Sequence, residues 1–201
     1  EICACLVGSE MCIRDRNQDA YRKIGINSMA EGDYDKAVKS FQKALDTSLG
    51  KIGAEEIDIC YYKAAAQFAK KDYDGAIETY TSLIDYDKEN ANAYYLRGSV
   101  YLDTDKKDKA FKDYKNAVKY AGREYEIYEG IYENLTNKGE TEEAKNYLKK
   151  ALDIKPKDGA DYAEQGHVYY LLEDYTQAKS SLDRAIDKDD KTALLYLAEV
   201  Y

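Results

Sequence analysis

The residues of this chain that could do chemistry are few. One histidine, His167, occurs in 201 residues, and a lone imidazole with no base and orienting group beside it cannot run a nucleophilic relay. No serine, cysteine or lysine stands at a spacing that would activate it, and there is no glycine-rich phosphate loop, His-Glu-x2-His string or EF-hand loop. Cys3, Cys5 and Cys12 lie close together, but three thiols without a fourth cysteine or a nearby histidine fall short of a zinc spacing. No catalytic residue, metal site or cofactor is therefore expected. Asn134-Leu135-Thr136 has the form of a glycosylation acceptor, yet it falls inside a helical pattern and is read as fortuitous. What remains is binding chemistry. Glu126, Glu129 and Glu133 stand at i, i+3 and i+7 and so fall along one face of a helix. The chain also carries 22 tyrosines.

Charge and composition narrow the partners of such a surface. A formal net charge of -9 gives an acidic field that repels polyanions, so nucleic acid and anionic lipid headgroups are excluded as natural partners. The densest basic stretch, Lys106 to Lys119, is interleaved with Asp108 and Asp113, lacks aromatic stacking partners on the same face, and reads as a solvated helix surface with local ion pairs. Apolar residues make up 44% of the chain and proline occurs once, which suits a helical core with little to interrupt it. No run approaches the roughly 18 apolar residues that a membrane-spanning helix needs.

The first sixteen residues stand apart. They hold three of the four cysteines, no aromatic residue and no helical period, and the composition changes abruptly near Asn17. Cys5 to Arg16 resembles translated sequencing-adapter read-through, and residues 1–16 are read as a non-native or disordered segment. An acidic start and a short apolar run argue against a secretory signal, although Cys60 alone then remains and no redox compartment is indicated.

From Asn17 onward a repeat positions everything else. A small-x3-large-x2-small pattern recurs as Ala37/Phe41/Ala44, Ala76/Tyr80/Leu83, Ala110/Tyr114/Ala117, Ala144/Leu148/Ala151 and Ala178/Leu182/Ala185, at intervals of 39, 34, 34 and 34. The long interval coincides with Thr47 to Gly53, whose glycines and serine permit a longer connection. Upstream of each alanine lies a second apolar segment, marked by Tyr21/Gly25, Cys60/Ala64, Tyr94/Gly98, Tyr128/Tyr132 and Tyr162/Gly166. Both segments have i, i+3, i+4, i+7 spacing, so each unit is a pair of amphipathic helices. Gly32-Asp33, Lys71-Asp72, Asp105-Lys106, Gly139-Glu140 and Glu173-Asp174 mark the turn between them. Small residues at a helix crossing let the backbones approach while the large residue fills the adjacent groove.

A 34-residue helix-turn-helix with these features resembles the tetratricopeptide repeat family. Tyr21-Ile24-Gly25 and Tyr94-Gly98-Tyr101 follow its first-helix pattern, the second-helix alanines match in all five copies, and Pro156 supplies its proline after the fourth. Tyrosine or Cys60 replaces the family tryptophan, and Tyr132 stands where a small residue belongs. The resemblance implies an all-α fold, a right-handed α-α superhelix of antiparallel helix hairpins. Repeats are expected over about 18–53, 57–90, 91–124, 125–158 and 159–190, with a partial sixth at 191–201. That last piece reads as a repeat cut short, hence a fragment whose open edge promotes self-association.

The same resemblance turns one stripe of each first helix toward a ligand. It assigns Tyr61 and Phe68, then Asn92, Tyr95 and Ser99, then Glu126, Glu129 and Glu133, then His167 and Tyr170 to a concave groove. The lysine and asparagine clamp by which some members hold a C-terminal carboxylate is absent. The function it implies is an interaction scaffold for a protein or peptide with basic or aromatic segments, not an enzyme. The alternative is an assembly module using the solenoid edges or convex face, or the repeat region of a larger protein with a catalytic or anchoring domain. Localisation stays open between the cytoplasm and, if a signal segment has been lost, a bacterial surface or lipid anchor.

Overall fold

The computed structural model describes residues 17–48 and 52–200, and the expectation for residues 1–16 lies outside them. Among the described residues there are eleven helices and no strand. The first, α1, covers residues 17–30. It is followed by α2 (Tyr34–Thr47), α3 (Ala54–Ala69), α4 (Tyr73–Tyr86), α5 (Ala91–Asp103) and α6 (Lys107–Tyr120). Then come α7 (Tyr125–Asn137), α8 (Thr141–Ala151), α9 (Gly159–Leu171), α10 (Tyr175–Ile186) and α11 (Thr192–Val200). None of the described helices is long and apolar enough to cross a membrane. The chain forms two compact units, which meet in sequence between Ala110 and Phe111.

The alanine pattern is the core. Ala37, Ala76, Ala110, Ala144 and Ala178 are all fully buried, as are Phe41, Tyr114, Leu148 and Leu182. In the first unit Phe41 packs with Ala37, Ala44, Ile59 and Ala66, and Tyr80 with Ala64, Ala76, Leu83 and Val100. In the second, Leu182 and Ala185 pack with Ala163 and Ala193. A Cβ on Gly25 would sit 2.5 Å from the Phe41 ring, and one on Gly166 would sit 2.7 Å from Leu182. At these two crossings a side chain on the first helix would run into the large residue of the second, whereas Ala64 fits against Tyr80 at the matching position of the second pair. Tyr132 stands at this position in the fourth pair, and its hydroxyl donates to the Leu171 carbonyl on α9, 3.4 Å away.

Each turn inside a helix pair is built the same way. Gly32, Lys71, Asp105, Gly139 and Glu173 all have positive φ, between 57° and 81°. At each, two amide groups fold back onto the last carbonyls of the first helix. Lys71 N donates to Phe68 O and Asp72 N to Gln67 O, both at 2.8 Å; Glu173 N donates to Tyr170 O and Asp174 N to Tyr169 O at 2.8 and 2.9 Å. This left-handed stop satisfies carbonyls that a helix end leaves bare. At three of the five turns the next residue then caps the second helix: the carboxylates of Asp33, Asp72 and Asp174 accept from Lys36 N, Gly75 N and Gln177 N.

The tyrosines in the place of the family tryptophan are only partly enclosed, Tyr128 excepted. A cation covers the open side of three of them: Lys43 stands 5.6 Å from the Tyr21 ring, Arg97 5.7 Å from Tyr94 and Arg184 5.9 Å from Tyr162. On the lysine-rich helix α6, Lys109 lies 5.4 Å from the ring of Tyr101, which belongs to α5. That pairing is internal and adds nothing for a nucleic acid to stack on.

Candidate functional site

Polar side chains join successive first helices within each unit. In the first unit, Gln18 Nε2 donates to Glu56 Oε1 at 2.8 Å, and Arg22 Nε donates to Asp58 Oδ2 at 2.8 Å. Arg22 also lies 5.3 Å from the Tyr62 ring. Tyr61 donates its hydroxyl to Asn90 Oδ1 at 2.7 Å, and the same oxygen caps α5 by accepting from Ala93 N at 2.9 Å. Tyr61 is thus half-buried and engaged in fixing the start of the next helix. Its ring is tilted against Tyr80, with centroids 6.4 Å apart. Burial, with Tyr61 and Tyr95 nearby, raises the pKa of the Tyr80 hydroxyl.

The expected groove residues of this unit fare differently. Phe68 packs edge-on to Tyr73 at 5.7 Å and against the Tyr80 cluster, so it is as much core as surface. Ser99 donates to the Tyr95 carbonyl of its own helix at 3.0 Å. Asn92 is exposed, whereas Tyr95 and Ser99 are half-buried.

The second unit gathers its groups more tightly. Glu126 and Glu133 lie exposed on α7, but Glu129 between them turns toward α9. His167 Nδ1 donates to Glu129 Oε1 at 2.9 Å, and the two side chains are only 19% and 16% exposed. The imidazole is stacked at 4.4 Å and 9° on Tyr196, and at 6.2 Å and 17° on Tyr170. Glu164, one turn before His167 on α9, completes the cluster: its Oε1 lies 3.5 Å from the Tyr196 hydroxyl. Burial first, then the charges of Glu129 and Glu126, push the Glu164 carboxyl up to about 7, against the opposing pull of His167 and Tyr196. One ligand atom each from Glu129, Glu164 and His167 lie within 4.8 Å of one another.

Two readings of the sequence are corrected here. His167 is not an isolated groove residue, because α7 and α9 bring two carboxylates to it. Glu129 is not a free surface carboxylate like Glu126 and Glu133, because its carboxylate is held by the imidazole. Glu164 and Tyr196 were missed. Glu164-x2-His167 was visible as an i, i+3 pair, but nothing in the spacing of α11 pointed to Tyr196.

Comparison with known proteins follows the repeat. Sequence models described as "Tetratricopeptide repeat" match residues 22–80 and, separately, 91–123, 133–158 and 162–191, and one described as "TPR repeat" matches 64–105. Human tetratricopeptide repeat protein 13 is 27% identical over 154 residues, covering 71% of this chain and 17% of that protein. Anaphase-promoting complex subunit 3 of Schizosaccharomyces pombe is 21% identical over 201 residues, covering 86% of this chain and 30% of that protein. The chain thus spans less than a third of either relative's length. Among solved structures, a thermophilic TPR protein of Thermus thermophilus superposes with a TM-score of 0.54 at 17% identity, over 91% of this chain and 98% of that one. Pseudomonas aeruginosa pilF gives 0.54 at 18% identity over 93% and 84%, and a MamA protein 0.52 at 22% over 88% and 94%. At these identities the likeness is one of fold.

Proposed function

Because this chain belongs to the tetratricopeptide repeat family, we propose that it is a non-catalytic interaction scaffold whose first helices hold a partner's basic segment. The observation that carries this reading is the carboxylate row of α7 beside the rings of the second unit. Glu126 and Glu133 are exposed to a ligand, Glu129 and Glu164 lie behind them, and Tyr170 and Tyr196 border the cluster. Lysine or arginine side chains would gain from both, through charge and through ring faces worth about 0.5–2 kcal/mol each. In the first unit the same role falls to Asn92, Tyr95 and Ser99, with the edges of Tyr61 and Phe68, which suits a segment carrying aromatic residues.

A peptide array of lysine- and arginine-rich sequences, with and without aromatic residues, tests the proposal. Binding is expected to weaken as salt rises, since exposed charges are screened over about 8 Å at physiological ionic strength. The charge reversal belongs at Glu126 and Glu133. Glu129→Lys is unsuitable because it would set a cation against the histidine that Glu129 now accepts from. If Glu126→Lys/Glu133→Lys binds the captured basic peptides with unchanged affinity and salt dependence, the reading is wrong.

A further inference from the structure

We propose that Glu129, Glu164 and His167 form a binding site for a divalent first-row transition metal such as Zn2+. Their three ligand atoms already lie within 4.8 Å of one another. Oxygen and imidazole ligands about 2.0–2.2 Å from zinc stand about 3.4 Å apart in a tetrahedron. Reaching that spacing asks His167 Nδ1 and Glu129 Oε1, now 2.9 Å apart, to part slightly and the Glu164 carboxylate to turn toward both. Glu164 and His167 are i and i+3 on α9 and therefore project from one face, while Glu129 reaches them from α7. A Glu-x2-His pair on one helix met by a carboxylate from another is a ligand arrangement that helical cores use for metals.

The imidazole separates this site from an ordinary patch of carboxylates. One nitrogen and two carboxylate oxygens suit zinc and its neighbours, whereas magnesium and calcium take oxygen alone. The surroundings also hold the ligands in place. Tyr170 and Tyr196 flank the imidazole, and the Tyr196 hydroxyl lies 3.5 Å from Glu164 Oε1. Such outer partners orient ligands before the metal arrives. On binding, Nδ1 gives up to solvent the proton it now donates to Glu129, and its lone pair goes to the metal. Three protein ligands leave a fourth position for water or for a donor group of a bound partner.

The test is calorimetric titration of the 201-residue chain with ZnCl2, together with thermal melting. The chain carries Cys3→Ser, Cys5→Ser and Cys12→Ser so that those thiols cannot compete. One saturable site per chain is expected, with a melting midpoint that rises with zinc concentration. His167→Ala and Glu164→Gln should each weaken binding by more than about tenfold, the lower range for disturbing even an outer partner. Glu142→Gln, exposed on α8, should leave binding as it was. Glu164→Gln keeps side-chain shape and removes a charge from beside Glu129, so it separates loss of a ligand from loss of fold, which circular dichroism checks. No saturable binding, or equal affinity in the His167→Ala, Glu164→Gln and Glu142→Gln chains, overturns the site.

Discussion

Lys71 and Glu173 occupy the left-handed backbone region that Gly32 and Gly139 fill at the matching turns, with φ of 68° and 65°. A side chain there crowds the following carbonyl, at a cost of about 1–2 kcal/mol that glycine avoids, less the extra chain entropy glycine loses. Lys71→Gly and Glu173→Gly are therefore expected to stabilise the fold by about 0.5–1 kcal/mol each, read from urea midpoints. Gly166 shows the opposite constraint. Gly166→Ala puts a methyl group into the Leu182 side chain and should cost roughly 1–3 kcal/mol, where the same change at an exposed helical site would be favourable. The sequence disclosed both positions, because the glycine before the crossing and the pair at the turn recur in phase with the alanines. It did not disclose the Glu129, Glu164 and His167 cluster. Each first helix has its own 3.6-residue phase, but the rotation of α9 against α7 is set by packing, and that rotation is what swings Glu164 toward Glu129.

At the scale of the helix, ends decide more than interiors. Asp174 caps α10 through Gln177 N at 3.1 Å, and Asp174→Ala should cost about 1 kcal/mol by thermal melting. At the entry to α9, Asp161 accepts from Lys157 N at 2.8 Å and is paired with Arg123. Burial alone would raise the Asp161 carboxyl, but the Lys157 amide and the Arg123 guanidinium outweigh it, so its pKa lies below the ordinary 3.8. The unfolded chain then binds the proton more readily than the folded one, and stability rises with pH across that interval. The contribution is complete above the ordinary carboxylate range and is lost as pH falls through the folded pKa. Arg123→Ala is expected to raise the acid-unfolding midpoint, followed by circular dichroism. The helix pairs themselves were legible because apolar period and turn residues agree; the cross-helix bonds at their ends, Arg123 to Asp161 and Arg22 to Asp58, were not, since each joins residues more than 35 positions apart.

For the whole molecule, a repeat array is stabilised mainly between neighbours. The Gly166→Ala lesion is accordingly expected to speed amide hydrogen exchange most in α9 and α10, less in α7 and α8, and least in α2 and α3. Uniform acceleration along the chain would point instead to one cooperative body. The alanine intervals add a separate lesson. The first is 39 residues where the others are 34, yet Ala37, Phe41 and Ala44 before the connection and Ala64, Ala76 and Tyr80 after it are all buried. Three of the five extra residues lengthen α3, which has 16 residues where α5 has 13, and the other two lengthen the connection between Thr47 and Ala54, which absorbs them with the packing on either side intact. For an engineer it is the place to splice in an epitope, a fluorescent reporter or a protease site, leaving the reading frame of buried positions on both flanks undisturbed.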